Sequence, residues 1–123
     1  TSFSDMFCGA KCFNQDISLW NVSQATSLER MFFNAPSFHQ NLSNWDTSNV
    51  TNMCGMFHGA SLFNGDVSTW NTENVTNMEY MFCDATSFGQ NLSSWNVGNV
   101  VRHVGMFRGT KSFCIVLFAP RFS

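Results

Sequence analysis

Thr76-Asn77-Met78-Glu79-Tyr80-Met81-Phe82-Cys83-Asp84-Ala85-Thr86-Ser87-Phe88 is the stretch on which the fold turns. Counting from Met78, the apolar residues Met81, Phe82, Ala85 and Phe88 follow at spacings of 3, 4, 7 and 10. That spacing predicts one face of a short helix. Thr76 with Glu79 three residues later has the form of a capping box, and Thr26 with Glu29 repeats it. The next stretch, Asn91-Leu92-Ser93-Ser94-Trp95-Asn96-Val97, changes period. Its apolar pattern is Leu-x-x-Trp-x-Val, with sister copies Ile17/Trp20/Val22, Leu42/Trp45/Thr47 and Val67/Trp70/Thr72. The Trp-x-Val alternation has the spacing of a strand.

Both stretches recur every 25 residues. Met-Phe stands at 6–7, 31–32, 56–57, 81–82 and 106–107, Trp at 20, 45, 70 and 95, and Phe at 13, 38, 63, 88 and 113. No insertion breaks the register, and the chain begins in mid-repeat. One short strand plus one short helix in each 25-residue repeat predicts an α/β repeat solenoid of leucine-rich-repeat type. The strands would form a parallel sheet on the concave side, with Trp, Phe and Met between sheet and helices. The repeats are expected to fill residues 1–113. Residues 114–123 read as a degenerate edge strand or a non-repeat tail, with Cys114-Ile115-Val116 where the first repeat has Asn14-Gln15-Asp16, and Pro120 at the Trp phase.

Composition narrows the function. A chain of 123 residues and 13.9 kDa suits one domain. Charged residues make up 11%, against about 25% in ordinary domains, and the net charge is −2. Such a chain lacks the basic surface needed to grip nucleic acid or an anionic membrane. Fourteen Phe and four Trp against one Tyr point to aromatics used as buried filler. The longest apolar run, Cys114 to Ala119, is too short to span a bilayer, and no signal peptide is visible.

The residues that invite chemistry are few. Five Cys offer no disulfide framework: Cys8 and Cys83 share a phase but stand three repeats apart, and Cys54 and Cys114 have no same-phase Cys. Cys8 and Cys12 lack the second pair of a zinc site. His58 and Cys83 share a phase in adjacent repeats, flanked by Phe33 and Arg108, yet no third polar group recurs to orient the imidazole. The expectation is no catalytic residue, no metal ligand and no cofactor. Two files of Asx residues, Asp16/Asn41/Asp66/Asn91 and Asn21/Asp46/Asn71/Asn96, never place Asp in consecutive repeats. Neighbouring carboxylates thus avoid repulsion. The files read as turn chemistry and ladder hydrogen bonding rather than a calcium site, which wants several carboxylates. Asn-x-Ser/Thr at Asn21, Asn41, Asn49, Asn74 and Asn91 is spelled by the repeat itself.

Asn-Val-Thr-Asn-Met-x-x-Met-Phe at 49–57 and 74–82, with Phe-Asn-Gln-Asp-Ile-Ser-Leu-Trp-Asn-Val-Ser at 13–23, resembles the BspA-like surface-protein repeat of 25–26 residues. The resemblance implies a leucine-rich-repeat relative, an extracellular or cell-surface location and a binding role. It brings no catalytic residues.

Together these observations predict a non-enzymatic array that presents a polar concave face for binding or adhesion. Its candidate residues are Asn21, Asn44, Asp46, Ser48, Thr69, Asn71, Glu73, Ser94 and Asn96. A protein or carbohydrate surface ligand would suit them. The alternatives are a purely structural spacer, or an ice- or mineral-binding ladder built on Thr26, Thr51 and Thr76. The uncharged segment Ile115 to Phe118 offers an open edge for self-association.

Overall fold

A computed structural model describes residues 1–110, and in it the Met-Phe half of each repeat is a run of tight turns. In the second repeat the N–H groups of Met31, Phe33, Ala35 and Phe38 donate to the carbonyls of Leu28, Arg30, Phe32 and Ala35 at 3.1–3.2 Å. Left-handed backbone interrupts this run twice per repeat. One file is Asp5, Arg30, Gly55, Tyr80 and Gly105, with φ of 52–66°; the other is Gly9, Asn34, Gly59, Asp84 and Gly109, with φ of 53–79°. Positive φ at the third residue of a four-residue turn is the requirement of a type II turn. The same φ cannot be part of a right-handed helix.

The alternate N–H groups of this half cross to the next repeat. Leu28, Arg30, Phe32 and Asn34 donate to the carbonyls of Asn52, Cys54, Met56 and His58 at 2.7–2.9 Å. The equivalent four bonds occur between each pair of successive repeats. Parallel bridges join Ser2, Ser27, Asn52, Asn77 and Arg102 in succession. The repeats therefore lie one on the next in strict 25-residue register.

These bonds overturn the expected α/β, leucine-rich-repeat-like solenoid with one strand and one helix per repeat. Among the described residues no helix forms, and the only β pairing is the isolated bridges. The bridges sit at the Ser27 phase, inside the segment read as helical. The Trp segment read as a strand is instead two successive turns, closed by Trp45 N–H to Leu42 C=O and Val50 N–H to Thr47 C=O. It makes no backbone bond to a neighbouring repeat among the described residues, so the concave parallel sheet does not exist there. The capping boxes are also corrected. Thr26, Thr51 and Thr76 donate their hydroxyls to the carbonyls of Thr1, Thr26 and Thr51. The expected tail, residues 114–123, lies outside the described residues, as do Cys114 and the proposed edge at Ile115 to Phe118.

The apolar spacing is nevertheless the spacing of the core. Turns that close after three residues bring positions 3 and 4 apart to the same side, as a helix would. Leu28, Met31, Phe32, Ala35 and Phe38 are all buried, as are their partners two repeats on. Phe7, Phe32, Phe57, Phe82 and Phe107 stack in one column with centroids 5.5–5.9 Å apart. Phe13, Phe38, Phe63 and Phe88 form a second at 5.7–6.1 Å. Within each repeat the two rings stack at about 4 Å, joining the columns. Such offset aromatic pairs add roughly 0.5–1.5 kcal/mol each beyond the area they bury.

Where the backbone stops bridging the repeats, side chains take over. The Trp45, Trp70 and Trp95 indoles donate to the carbonyls of Ile17, Leu42 and Val67 in the preceding repeat, at 2.9–3.1 Å. Asn49, Asn74 and Asn99 donate from Nδ2 to Ser23, Ser48 and Glu73 carbonyls at 2.7–2.8 Å. The buried Thr47 and Thr72 hydroxyls donate forward to Asn71 and Asn96 carbonyls. One half of each repeat is thus tied by backbone and the other by indole, amide and hydroxyl groups.

Candidate functional site

The predicted binding residues are solvent-accessible one by one, and no sheet carries them. Asn21, Asn44, Asp46, Thr69, Asn71, Glu73, Ser94 and Asn96 are exposed, Ser48 is partly so, and Leu19 is 91% exposed. Their positions are fixed by the two Asx files. The side chains of Asp16, Asn41, Asp66 and Asn91 accept from the N–H two residues on, at 2.9–3.0 Å. Asn21, Asp46, Asn71 and Asn96 do the same at 3.0 Å. This is the turn chemistry that short Asx side chains supply. The expected turn role of both files is therefore present. Thr69 is partly committed elsewhere, since its hydroxyl donates to the Ser43 carbonyl at 3.1 Å.

The three aspartates of these files are acidified by their own turns. The Ser18, Ser48 and Ser68 hydroxyls, then the backbone N–H of the same serines, hold Asp16, Asp46 and Asp66 below the ordinary carboxylate value. A carboxylate with a depressed folded pKa stabilises the fold above its unfolded value, near 3.8, and loses that contribution as pH falls through the lowered value. Melting should therefore fall more steeply with acid in the parent than in an Asp46→Asn/Asp66→Asn protein. Asn already fills these phases at 41, 71, 91 and 96, so the turn survives the change. Identical melting curves for both proteins from pH 7 down to pH 2 would show that the aspartates make no such contribution. The effect is modest, because these groups are solvent-exposed.

A second cluster sits on the turn-rich half. His58 and Cys83 occupy one phase in adjacent repeats, and Asp84 follows Cys83 at a left-handed position. Their ligand-type atoms, an imidazole nitrogen, the thiol sulfur and a carboxylate oxygen, lie within 4.8 Å of one another. Cys83 is buried, His58 half-buried and Asp84 exposed. Burial pushes the Cys83 thiol up, the Asp84 charge adds to this, and Arg108 on the next repeat opposes it. The shared phase places His58 beside Cys83, whereas Asp84 is the immediate chain neighbour of Cys83 and belongs to no position that is polar in every repeat. His39, by contrast, is structurally spent. Its Nε2 meets Asn14 at 3.2 Å and its Nδ1 the Ser37 carbonyl at 2.8 Å.

Cys8 and Cys12 are exposed, Cys54 is half-buried and Cys83 alone is buried among the described cysteines; all four are free. No helix of the described residues is long and apolar enough to cross a membrane.

The chain itself matches a known family model. Residues 1–117 fit the family described as a Mycoplasma protein of unknown function, DUF285. The chain belongs to that family. No curated protein and no solved structure matches it. DUF285 membership identifies a repeat family without a described activity, so it assigns no role to any of the residues above. The match does not extend to the narrower BspA-like repeat.

Proposed function

We propose that this DUF285 chain is a non-catalytic binding array that displays its exposed polar strip to a ligand on a surface. The observation that carries this reading is the strip itself: Asn44, Thr69 and Ser94 stand exposed at one phase of three successive repeats, beside Asp46, Asn71 and Asn96 held by Asx turns. Side chains repeated in this way suit a ligand that is itself repetitive. Small polar groups without Tyr or Arg anchors give little affinity per contact, so strength would come from engaging several repeats at once. A carbohydrate chain or a dense protein surface has that character. The BspA-like resemblance of residues 13–23, 49–57 and 74–82 supports an extracellular or cell-surface setting.

Asn44→Arg with Ser94→Arg tests the reading. Neither side chain takes part in the Asx turns, so the fold should persist while two bulky cations interrupt the strip. Binding to immobilised glycans or to whole cells should be lost in the double variant, with an unchanged melting curve. Retained binding would place the ligand elsewhere. A parent that binds neither surface would leave the array as a structural spacer.

A further inference from the structure

We infer that His58, Cys83 and Asp84 form a site for a single borderline-soft divalent cation of the zinc class. The inference is independent of the polar strip, which lies on the other half of each repeat.

The stacking builds the site. Same-phase residues of adjacent repeats are neighbours, so the bonds of the Met-Phe half set His58 beside Cys83. Gly59 N–H donates to the Cys83 carbonyl at 2.8 Å, locking the two backbones together at that point. Asp84 is aimed by its left-handed backbone, with φ of 57°. Gly109, on the next repeat, leaves the space its carboxylate occupies, since a Cβ there would overlap Asp84 Oδ1. All three donors are therefore placed by backbone rather than by a flexible loop.

The donors also fit the metal. Zinc binds sulfur at about 2.3 Å and nitrogen or oxygen at about 2.0–2.2 Å, so tetrahedral donors lie roughly 3.4–3.6 Å apart. The observed donors span at most 4.8 Å. Small side-chain rotations, one at the thiol and one at the carboxylate, close the difference. Sulfur with imidazole selects zinc, copper or cobalt over calcium and magnesium, which want oxygen. Neither ring nitrogen of His58 has a hydrogen-bond partner among the described residues. Phe33, with its centroid 4.6 Å away, and Tyr80, at 6.2 Å, flank the ring instead. On binding, the Cys83 thiol gives its proton to solvent and the thiolate takes the metal. Three protein donors leave a fourth tetrahedral position for water.

Each test variant uses chemistry the array accommodates. Phe already fills the His58 phase at Phe33, and Asn already fills the Asp84 phase at Asn34. His58→Phe and Asp84→Asn should therefore fold, and Cys83→Ser changes one atom. The probe is Co2+ titrated into the full chain under reducing conditions, followed by the thiolate-to-cobalt charge-transfer band in the near ultraviolet, then displaced by Zn2+. The expected result is saturation at one metal per chain. Cys83→Ser should lose the band, and His58→Phe and Asp84→Asn should weaken binding roughly tenfold or more. Zn2+ should also raise the melting temperature of the parent but not of Cys83→Ser. A band that persists in Cys83→Ser would put the metal on another thiol and overturn the inference. So would a parent without saturable uptake, or His58→Phe and Asp84→Asn proteins that bind as the parent does. Should a single variant fail to fold, the remaining ones decide the outcome in the same way.

Discussion

Trp70→Ala should lower stability by about 3–5 kcal/mol, the usual cost of removing a large aromatic side chain from a core. Trp70 is 4% exposed, and its ring stacks on Trp45 at 6.3 Å and lies against Phe57 at 6.2 Å. Its Nε1 donates to the Leu42 carbonyl at 2.9 Å. The indole therefore acts twice, as filler and as a tie between repeats in the half that has no inter-repeat backbone bonds. Removing it leaves a cavity and takes from the Leu42 carbonyl its donor on the next repeat, leaving it only the Trp45 N–H. A domain of this size with an ordinary stability of about 5–15 kcal/mol has little to spare. The melting midpoint should drop on the order of 10 °C or more. Trp20 supplies the comparison within the same chain. It is 42% exposed, with no preceding repeat in the described chain for its indole to reach. Trp20→Ala should cost far less. Equal calorimetric midpoints for the two variants would show that the indoles do not bridge the repeats.

What was legible in the sequence was whatever depends on residue type at a fixed phase. The 25-residue period, the register and the burial of Leu42, Phe57, Phe63, Trp70 and Met81 follow directly from letters that recur. So did the turn role of the two Asx files. Secondary structure was misread because two different backbones share one apolar pattern. Spacings of 3 and 4 suit a helix, but they also suit a chain of overlapping turns that each close after three residues. The signal that separates them was present in the glycines. Gly55 and Gly105 mark one left-handed file, and Gly9, Gly59 and Gly109 mark another four residues on. Asp5, Asn34 and Asp84, which tolerate positive φ, fill most of the remaining places. Arg30 and Tyr80 obscure the rule, since neither side chain favours that conformation.

The strand was misread for a related reason. Trp-x-Val has a period of two, but each copy carries two Asx residues five apart, one ahead of the motif and one at its x position, such as Asn41 and Asp46, and each of these bends the chain. Two turns with one residue between them give the same alternation as a short strand. The ties between repeats in this half were hidden in residues that carry other suggestions. Asn49 and Asn74 look like glycosylation acceptors, yet their amides hold neighbouring repeats together. At the His58 cluster, phase logic found the pair across repeats and missed the partner along the chain.

The left-handed files also give a test in which helix and turn predict opposite signs. In a helix, Gly55→Ala with Gly59→Ala should stabilise the protein, since each Ala gains about 1 kcal/mol over Gly there. In the observed turns both residues have positive φ, 62° and 75°. An L-residue held left-handed costs roughly 1–2 kcal/mol, so the pair should lose about 2–4 kcal/mol. Space adds to the cost. A Cβ at Gly55 would press on Arg30 Cγ at 3.2 Å, and one at Gly59 would overlap Asn34 Oδ1. These contacts show an alternation along each file, in which a side chain on one repeat leans over the glycine of the next: Arg30 over Gly55, Asn34 over Gly59, Tyr80 over Gly105 and Asp84 over Gly109. Asn34 can rotate away from its neighbour, but the backbone at Gly59 cannot change φ without breaking the Gly59 N–H to Cys83 C=O bond. Gly98→Ser is the control, because Ser23, Ser48 and Glu73 fill that phase in the other repeats. It should melt with the parent. A Gly55→Ala/Gly59→Ala protein more stable than the parent in chemical denaturation would restore the helix; one that loses stability while Gly98→Ser does not confirms the paired left-handed turns as a feature that stacks this chain's repeats.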